Sequence, residues 1–488
     1  MEKQRFSMPM PRLIKLLVCA AIYLIFWFLP PVAPLTQVGM RVIGTFITVV
    51  LTLSLVDTVW PAMLACVLLS LSGVCTLNAA IAGTLGGWII YLILMSFLLT
   101  HALTEVGFID RVVGKFMGLK AVNRTPWTFT LSLGVLGFIL GAFLDQVAAT
   151  AFMLAFCPRV YRELGYEKGS SYTHIANIIA IYGVIIGGTS TPISHSLALL
   201  GMGIYSSATG NTISMFDYMA FGLPTALVLF VAMCIIFRLF TRPDMSKFAD
   251  FKIENVIGKR EKMDLREKIT VAVFGITVLL WIVPSILTMI SSAAWITKLN
   301  SYGIVFWAIV AVAVLSIVCV NDKPLLDVKD VVNHKTNWGI LFFVAIGIYL
   351  GSAMSAESTG IVAAITQGIS PLTERLPTSL VVLLLAAAGV VMTNFASNVS
   401  TITVMTTVGV AVAMATTGFN PAGMALVTTM CGSCAYLLPS SFAPIAMLHG
   451  DSYSSSKKIY PLAVAMIILS SIVIAFVGYP IGCALTGG

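Results

Sequence analysis

The sequence predicts an all-α polytopic membrane protein built from inverted repeats, with about eleven transmembrane helices and two re-entrant helical hairpins. Three observations carry this. Of the 488 residues, 58% are apolar and only 10% charged, and the mean hydropathy is +0.99, so there is too little polar surface to solvate a globule of this size. Apolar runs close to the length needed to cross a bilayer recur along the chain. Two polar knots interrupt such runs at matching places in the two halves, Phe143-Leu144-Asp145-Gln146-Val147 and Phe395-Ala396-Ser397-Asn398-Val399. Hydrocarbon penalises polar side chains and unpaired backbone, so paired knots point to a binding site shared between repeats.

The apolar runs begin near residues 12, 40, 60, 86, 172, 217, 269, 301, 338, 421 and 459, with two more around the knots. The first follows basic residues, as in a signal peptide. It lacks a small-x-small cleavage site and ends in Leu29-Pro30-Pro31, which favours an uncleaved span. Lys and Arg then set the sides. Lys3, Arg5, Arg12 and Lys15 precede the first span, four basic residues lie between 107 and 125, and Arg159, Arg162 and Lys168 follow the first knot. Eight crowd residues 241–268, and Lys323, Lys329, Lys335, Lys457 and Lys458 come later. A cytoplasmic N-terminus puts all of these on one face and leaves little beyond Arg41, Lys298 and Arg375 on the other, which places the C-terminus outside.

The net charge of +8 is spread through these short segments, so it orients spans and forms no face for nucleic acid. Seven of the nine cysteines lie singly in or beside apolar runs. Cys431 and Cys434 form a lone C-x-x-C whose three-residue step suits helix packing, with no second pair or histidine cluster to hold a metal.

After Gln146 about a dozen residues remain before Pro158-Arg159, a rise of about 18 Å against a hydrocarbon core of roughly 30 Å. Residues 126–158 therefore read as a hairpin entered from the cytoplasm, with Asp145-Gln146 at its tip. Residues 377–418 read as its mirror image, because the tip repeats the pattern. Each hairpin precedes a glycine- and proline-rich broken span, residues 172–205 and 421–450. The first contains Gly187-Gly188-Thr189-Ser190-Thr191-Pro192-Ile193-Ser194-His195; the second contains Gly432-Ser433-Cys434 and Pro439. Such breaks are tolerated only where they line a wet or ion-filled cavity. The organisation expected is scaffold and dimerisation spans at 1–106, a first core at 107–240 and a basic linker at 241–268. Scaffold spans at 269–356, a second core at 357–450 and a last span at 451–488 complete it.

The stretch Thr393-Asn394-Phe395-Ala396-Ser397-Asn398-Val399-Ser400-Thr401, together with Cys431-Gly432-Ser433-Cys434-Ala435-Tyr436-Leu437-Leu438-Pro439, resembles the second signature and helix break of the divalent anion:sodium symporter (DASS) family of the ion transporter superfamily. The resemblance implies a homodimer held by a scaffold, an elevator-type transport domain, Na⁺ at each tip, and a di- or tricarboxylate between the tips. Carried over by residue, Ser397 and Asn398 serve both ion and substrate, while Thr393 and the Cys431–Ala435 backbone complete the ion shell. The first half departs from the pattern: Asp145-Gln146-Val147 stands where the family has Ser-Asn-Thr, and Pro192-Ile193-Ser194 where it has Pro-Pro-Asn.

A dianion that must leave again calls for hydroxyls, amides and half-helix N-termini rather than fixed cations. The substrate set is Gln146, Thr191, Ser194, Ser397, Asn398 and Pro439; the ion set is Asp145, Gly188, Thr393, Ser397, Asn398 and Ser433, with Na⁺ as the metal and no cofactor. A carboxylate at membrane depth costs about 2.5–3.5 kcal/mol. Three roles are open to Asp145: a Na⁺ ligand, a proton carrier, or a charge that redirects the site from dianions; the structural alternative is a solvated turn. His195 is placed to pair with Asp145 or to donate to an anion, against the plain reading of a satisfied interface histidine; His449 sits similarly after the second break. Glu357 and Asp451 read as solvated loop charges. There is no H-E-x-x-H, no G-x-S-x-G and no aspartate pair within two spans, so the enzyme and receptor readings are remote. The expected activity is Na⁺- or H⁺-coupled uptake of a small organic anion by a multi-pass protein of the cell membrane, with a sodium/proton antiporter as the alternative.

Overall fold

In a computed structural model that describes residues 9–57, 59–122, 124–248, 262–291 and 293–487, the chain is almost wholly helical. A short ribbon pairs Cys319–Val320 with Lys323–Pro324. Among the described residues ten helices are long and apolar enough to cross a membrane, or eleven if the bent pair Ala294–Ser301 and Gly303–Ile317 forms one span. Hairpin arms are included in that number: Pro126–Phe143, Thr378–Phe395 and Asn398–Ala415.

Helix ends follow local chemistry. Thr125 and Ser214 begin their helices with reciprocal capping boxes, Ser170 and Asn420 cap with their side chains, and Pro126 and Pro421 sit in the first turn, where a missing N–H costs nothing. At the other extreme, the second arm of the first hairpin runs Gln146–Glu163 straight through Pro158, beyond the point where the sequence reading stops it. Proline removes one helical bond and crowds the preceding turn. Packing overrides that cost here: Cys157, Val160 and Tyr161 are fully buried, and the Tyr161 hydroxyl donates to Asn177 at 2.6 Å. The last turn carries Arg159, Arg162 and Glu163, so the apolar part of the arm is still the dozen residues before Pro158.

Two cores organise the chain. The smaller joins the helices Gln37–Leu55 and Trp60–Ser72 to Trp338–Ser355 through Val42, Phe46, Val49, Ala65, Leu69, Ile346 and Leu350. The larger surrounds the first broken span, Ser171–Thr189 and Ser196–Thr209, and the second, Pro421–Gly432 and Ala443–Gly450. The two spans exchange partners. Ser196–Thr209 packs on the second hairpin's Asn398–Ala415 and on Pro421–Gly432, while Ala443–Gly450 packs on the first hairpin's Gln146–Glu163 and on Ser171–Thr189.

The first hairpin lies backbone to backbone on its broken span. Gly134, Gly137 and Gly141 meet Ile179, Ala180 and Val184, and Gly183 and Gly187 meet Gly134 and Phe138. Lipid tails supply no hydrophobic drive between helices, so this close approach is what holds the pair. The second hairpin has no such ladder: Gly389 faces the side chain of Cys431, and its arm is tied by side-chain hydrogen bonds.

Several basic segments converge. Arg111 pairs with Glu267 at 2.5 Å, Arg266 donates to the carbonyls of Pro324 and Leu325, Lys335 meets His101, and Lys247 donates to Gly165. Lys3 and Arg5, and Lys252, Lys259 and Arg260 of the linker, lie outside the described residues.

A Cβ on Gly187 would stand 2.7 Å from the Phe138 carbonyl carbon, whereas nothing lies within 4 Å of one on Gly275. Gly187→Val should therefore destabilise the protein by about 1–3 kcal/mol. Thermal unfolding in detergent, with Gly275→Val as control, checks this; equal melting temperatures for the two variants would contradict the close approach.

Candidate functional site

Both hairpin tips form in the same way, as two residues of extended backbone between helices. At the first tip these are Leu144 (φ −120°, ψ 155°) and Asp145 (φ −50°, ψ 132°). At the second they are Ala396 (φ −115°, ψ 175°) and Ser397 (φ −67°, ψ 140°). Each tip therefore starts a fresh helix N-terminus with a positive dipole end; Asp145 caps the first, and no side chain caps the second.

Asp145 is half-buried, and its Oδ1 accepts from the amides of Val147 and Ala148 at 3.0 and 3.1 Å. The carboxylate thus caps its own helix, where negative charge is favoured. It also borders a crevice of about 10 Å³, room for a single water at most, walled by Ser96, Thr100, Ser194 and Ser196. Gln146 is buried against Gly188, where any side chain would collide with its amide; its Nε2 reaches the Ile185 carbonyl at 3.4 Å and its Oε1 has no partner. Thr191 donates to the Ala142 carbonyl and so fastens the first break to the hairpin. The Ser194 hydroxyl is buried without a partner.

At the second tip Ser397 starts the helix, yet its hydroxyl makes no capping bond. Thr393 Oγ stands 2.8 Å from Asn398 Oδ1 and 2.5 Å from the Gly432 carbonyl oxygen. One hydroxyl proton can serve only one of those acceptors, so with Oδ1 of Asn398 turned toward Thr393 the cluster has more oxygens than protons. Asn398 Nδ2 is buried without a partner. Pro439 is exposed in the loop beyond the second break.

The two breaks touch. His195 Nε2 lies 2.8 Å from Ser433 Oγ, which itself donates to the Thr429 carbonyl at 3.0 Å, so the histidine is the donor of the pair. The Tyr182 hydroxyl donates to the Tyr436 carbonyl at 3.0 Å. His195 therefore joins the two halves through a serine and does not pair with Asp145. His449 bridges the Leu437 carbonyl and Ser456. Asp451 corrects its reading as a solvated charge: it accepts from Asn177 Nδ2 and the Tyr453 amide, both at 2.9 Å, while Glu357 is exposed.

Of the buried side-chain polar atoms without a partner among the described residues, five belong to Gln146, Thr150, Ser194, Asn398 and Thr401. Buried polar groups are normally paired, so these five at the tips and breaks make this region the candidate site; the other three belong to Tyr23, Arg41 and Ser96. Thr150 and Thr401 were not singled out by sequence reasoning, although each lies about one helical turn beyond a tip amide. Asn394 was quoted without a role. Its Nδ2 donates to the carbonyls of Val390 and Cys434 at 2.7 and 3.0 Å, and its Oδ1 accepts from the amides of Tyr436 and Leu437 at 2.7 and 2.8 Å. An amide next to a helix break was the available signal.

Residues 45–431 match the citrate transporter family, CitMHS. The chain belongs to this family. It is 27% identical over 424 residues to the sodium-dependent dicarboxylate transporter SdcS of Staphylococcus saprophyticus, covering 81% of this chain and 76% of the relative. It is 25% identical over 439 residues to SdcS of Staphylococcus aureus, covering 86% and 81%. An uncharacterised transporter of Haemophilus influenzae is 23% identical over 392 residues, 80% of each chain. The fold is similar to that of the YdaH transporter of Alcanivorax borkumensis, with a TM-score of 0.56 at 13% identity over 97% of this chain and 100% of that one. The membership agrees with the resemblance to the divalent anion:sodium symporters and the ion transporter superfamily, and the chain is a multi-pass membrane protein.

Asn394 and Asn398 should separate stability from binding. Asn394→Ala strands two amides and the Cys434 carbonyl at the second break and should cost about 3 kcal/mol or more, whereas Asn398→Ala, whose Nδ2 has no partner to strand, should cost about 1 kcal/mol. Chemical or thermal unfolding in detergent measures both, and the reverse order would undo the assignment.

Proposed function

We propose that this protein is a secondary active transporter that couples Na⁺ influx to uptake of a small organic anion, a di- or tricarboxylate. The surplus of oxygens at Thr393, Asn398 and Gly432 carries the reading. A hard monovalent cation resolves that surplus, because it accepts several oxygens at once and needs no proton. Asn398 then supports coupling directly: its Oδ1 belongs to the cation cluster, while its unpartnered Nδ2, the Ser397 hydroxyl and the uncapped N-terminus of the second tip are donors free for a carboxylate. Filling the cation cluster orients the amide for the anion, so each ligand favours the other. The SdcS relatives, described as sodium-dependent dicarboxylate transporters, support the same ion and substrate class.

At the first tip, Gln146 and Gly188 hold the equivalent position, with Ser194 as a further donor. Asp145 is committed to capping through one oxygen, and its other oxygen is available to a cation or proton in the crevice beside Ser194. We place the moving unit at residues 107–240 and 357–450, working as an elevator against scaffold spans at 1–106 and 269–356 in a homodimer. The convergence of basic segments supports a cytoplasmic N-terminus and an extracytoplasmic C-terminus.

Purified protein in proteoliposomes should accumulate labelled C4 dicarboxylate under an inward Na⁺ gradient. Asn398→Ala should raise the apparent KM for both Na⁺ and dicarboxylate about tenfold or more, the loss expected of a hydrogen bond to a charged group. Na⁺-driven proton movement without organic anion uptake would instead establish the antiporter reading. Asp145→Asn should keep uptake but change its dependence on Na⁺ or pH; unchanged dependence on both would reduce Asp145 to a helix cap.

A further inference from the structure

Away from the tips, the ends of three helices enclose a cavity of about 680 Å³. Its rim is Ser171, Thr241, Arg242, Pro243 and Lys458, and its walls are Ile175, Ile236, Phe240, Leu462, Ala465, Ile468, Leu469 and Ile472. The two cations stand at one end, and among the described residues no carboxylate lines the groove. Neither Arg242 nor Lys458 has an acidic partner among the described residues. From Lys458 to Ile472 the wall rises about 21 Å, more than the roughly 15 Å of one hydrocarbon leaflet. The wall continues onto the lipid-facing surface, where Phe240, Ile468 and Ile472 are 78%, 57% and 45% exposed.

We propose that this groove is a binding site for an anionic phospholipid, with the headgroup phosphate between Arg242 and Lys458 and an acyl chain along Leu462, Ala465, Leu469 and Ile472. Charge selects the occupant. A zwitterionic headgroup would bring its own cation to a rim that already holds two, and a small carboxylate would leave the apolar wall uncovered. A second copy of this chain would have to present a carboxylate over a long apolar ridge. The groove also clasps Ser171–Thr189, at the start of the first broken span, to Ser456–Val473, so a bound lipid would brace the end of the span that carries the first break.

The test uses the full-length protein in detergent with added phosphatidylglycerol or phosphatidylcholine, and native mass spectrometry to count bound lipids. Wild-type protein should retain phosphatidylglycerol in preference to phosphatidylcholine. The double variant Arg242→Gln/Lys458→Gln should weaken phosphatidylglycerol retention roughly tenfold and abolish the preference, since each basic group near an anionic headgroup contributes comparably. Ala465→Trp, which fills the groove and leaves the rim charges in place, should lower retention of that lipid as well. Equal retention of the two lipids by wild-type protein, or full retention by either variant, overturns the proposal. Loss of dimer in Ala465→Trp with lipid retention unchanged overturns it in favour of a second copy as the occupant.

Discussion

An unwound helix inside an apolar protein leaves N–H and C=O groups with no water to turn to, and the need to pair them is the constraint on which the rest of this structure depends. The chain meets it with a few side chains at or near each break that reach partners distant in sequence. Asn394 satisfies four backbone groups, two of them amides of the second break. Thr191 closes the first break against Ala142, and Tyr182 reaches across to Tyr436. With the loose backbone held in this way, Gln146 Oε1 and Asn398 Nδ2 at the tips keep no partner within the protein.

The two halves hold their hairpins by different physics. In the first, glycine lets helix backbones touch, and dispersion over a long contact does the work. In the second, directional hydrogen bonds from Thr393 and Asn394 fix the arm to Gly432 and Cys434. A glycine-packed pair tolerates little displacement, whereas a pair joined at a few polar contacts is held only at those points. The contact between His195 and Ser433 joins the differently built halves at their centre.

Much of this was legible in the chain. The alternation of apolar runs with basic segments specified a helical membrane protein, and the paired knots located both tips to within one residue. Asn398 stands at a tip and Gly188 beside a break, because tip and break are local features of backbone and side-chain type. Pro158 misled for a physical reason: its helix-breaking cost is local, while the burial of Tyr161 and Val160 that outweighs it comes from other elements. Asp451 was misjudged similarly, since its partner Asn177 lies 274 residues away, and the choice between the two readings of His195 rested on Ser433, 238 residues away.

The sequence alone determined the solvent, the fold class and the residues at the two tips, because hydropathy, charge placement and helix-breaking residues act over a few turns of chain. Tertiary structure decided which polar atoms are already satisfied and which remain free. The same residue types, an asparagine at 394 and another at 398, end in opposite roles: one is consumed by backbone and the other is left with an unpartnered amide. That distinction depends on distances between segments brought together only by folding, and hydrogen bonding is too short-ranged and directional to be read before those distances exist.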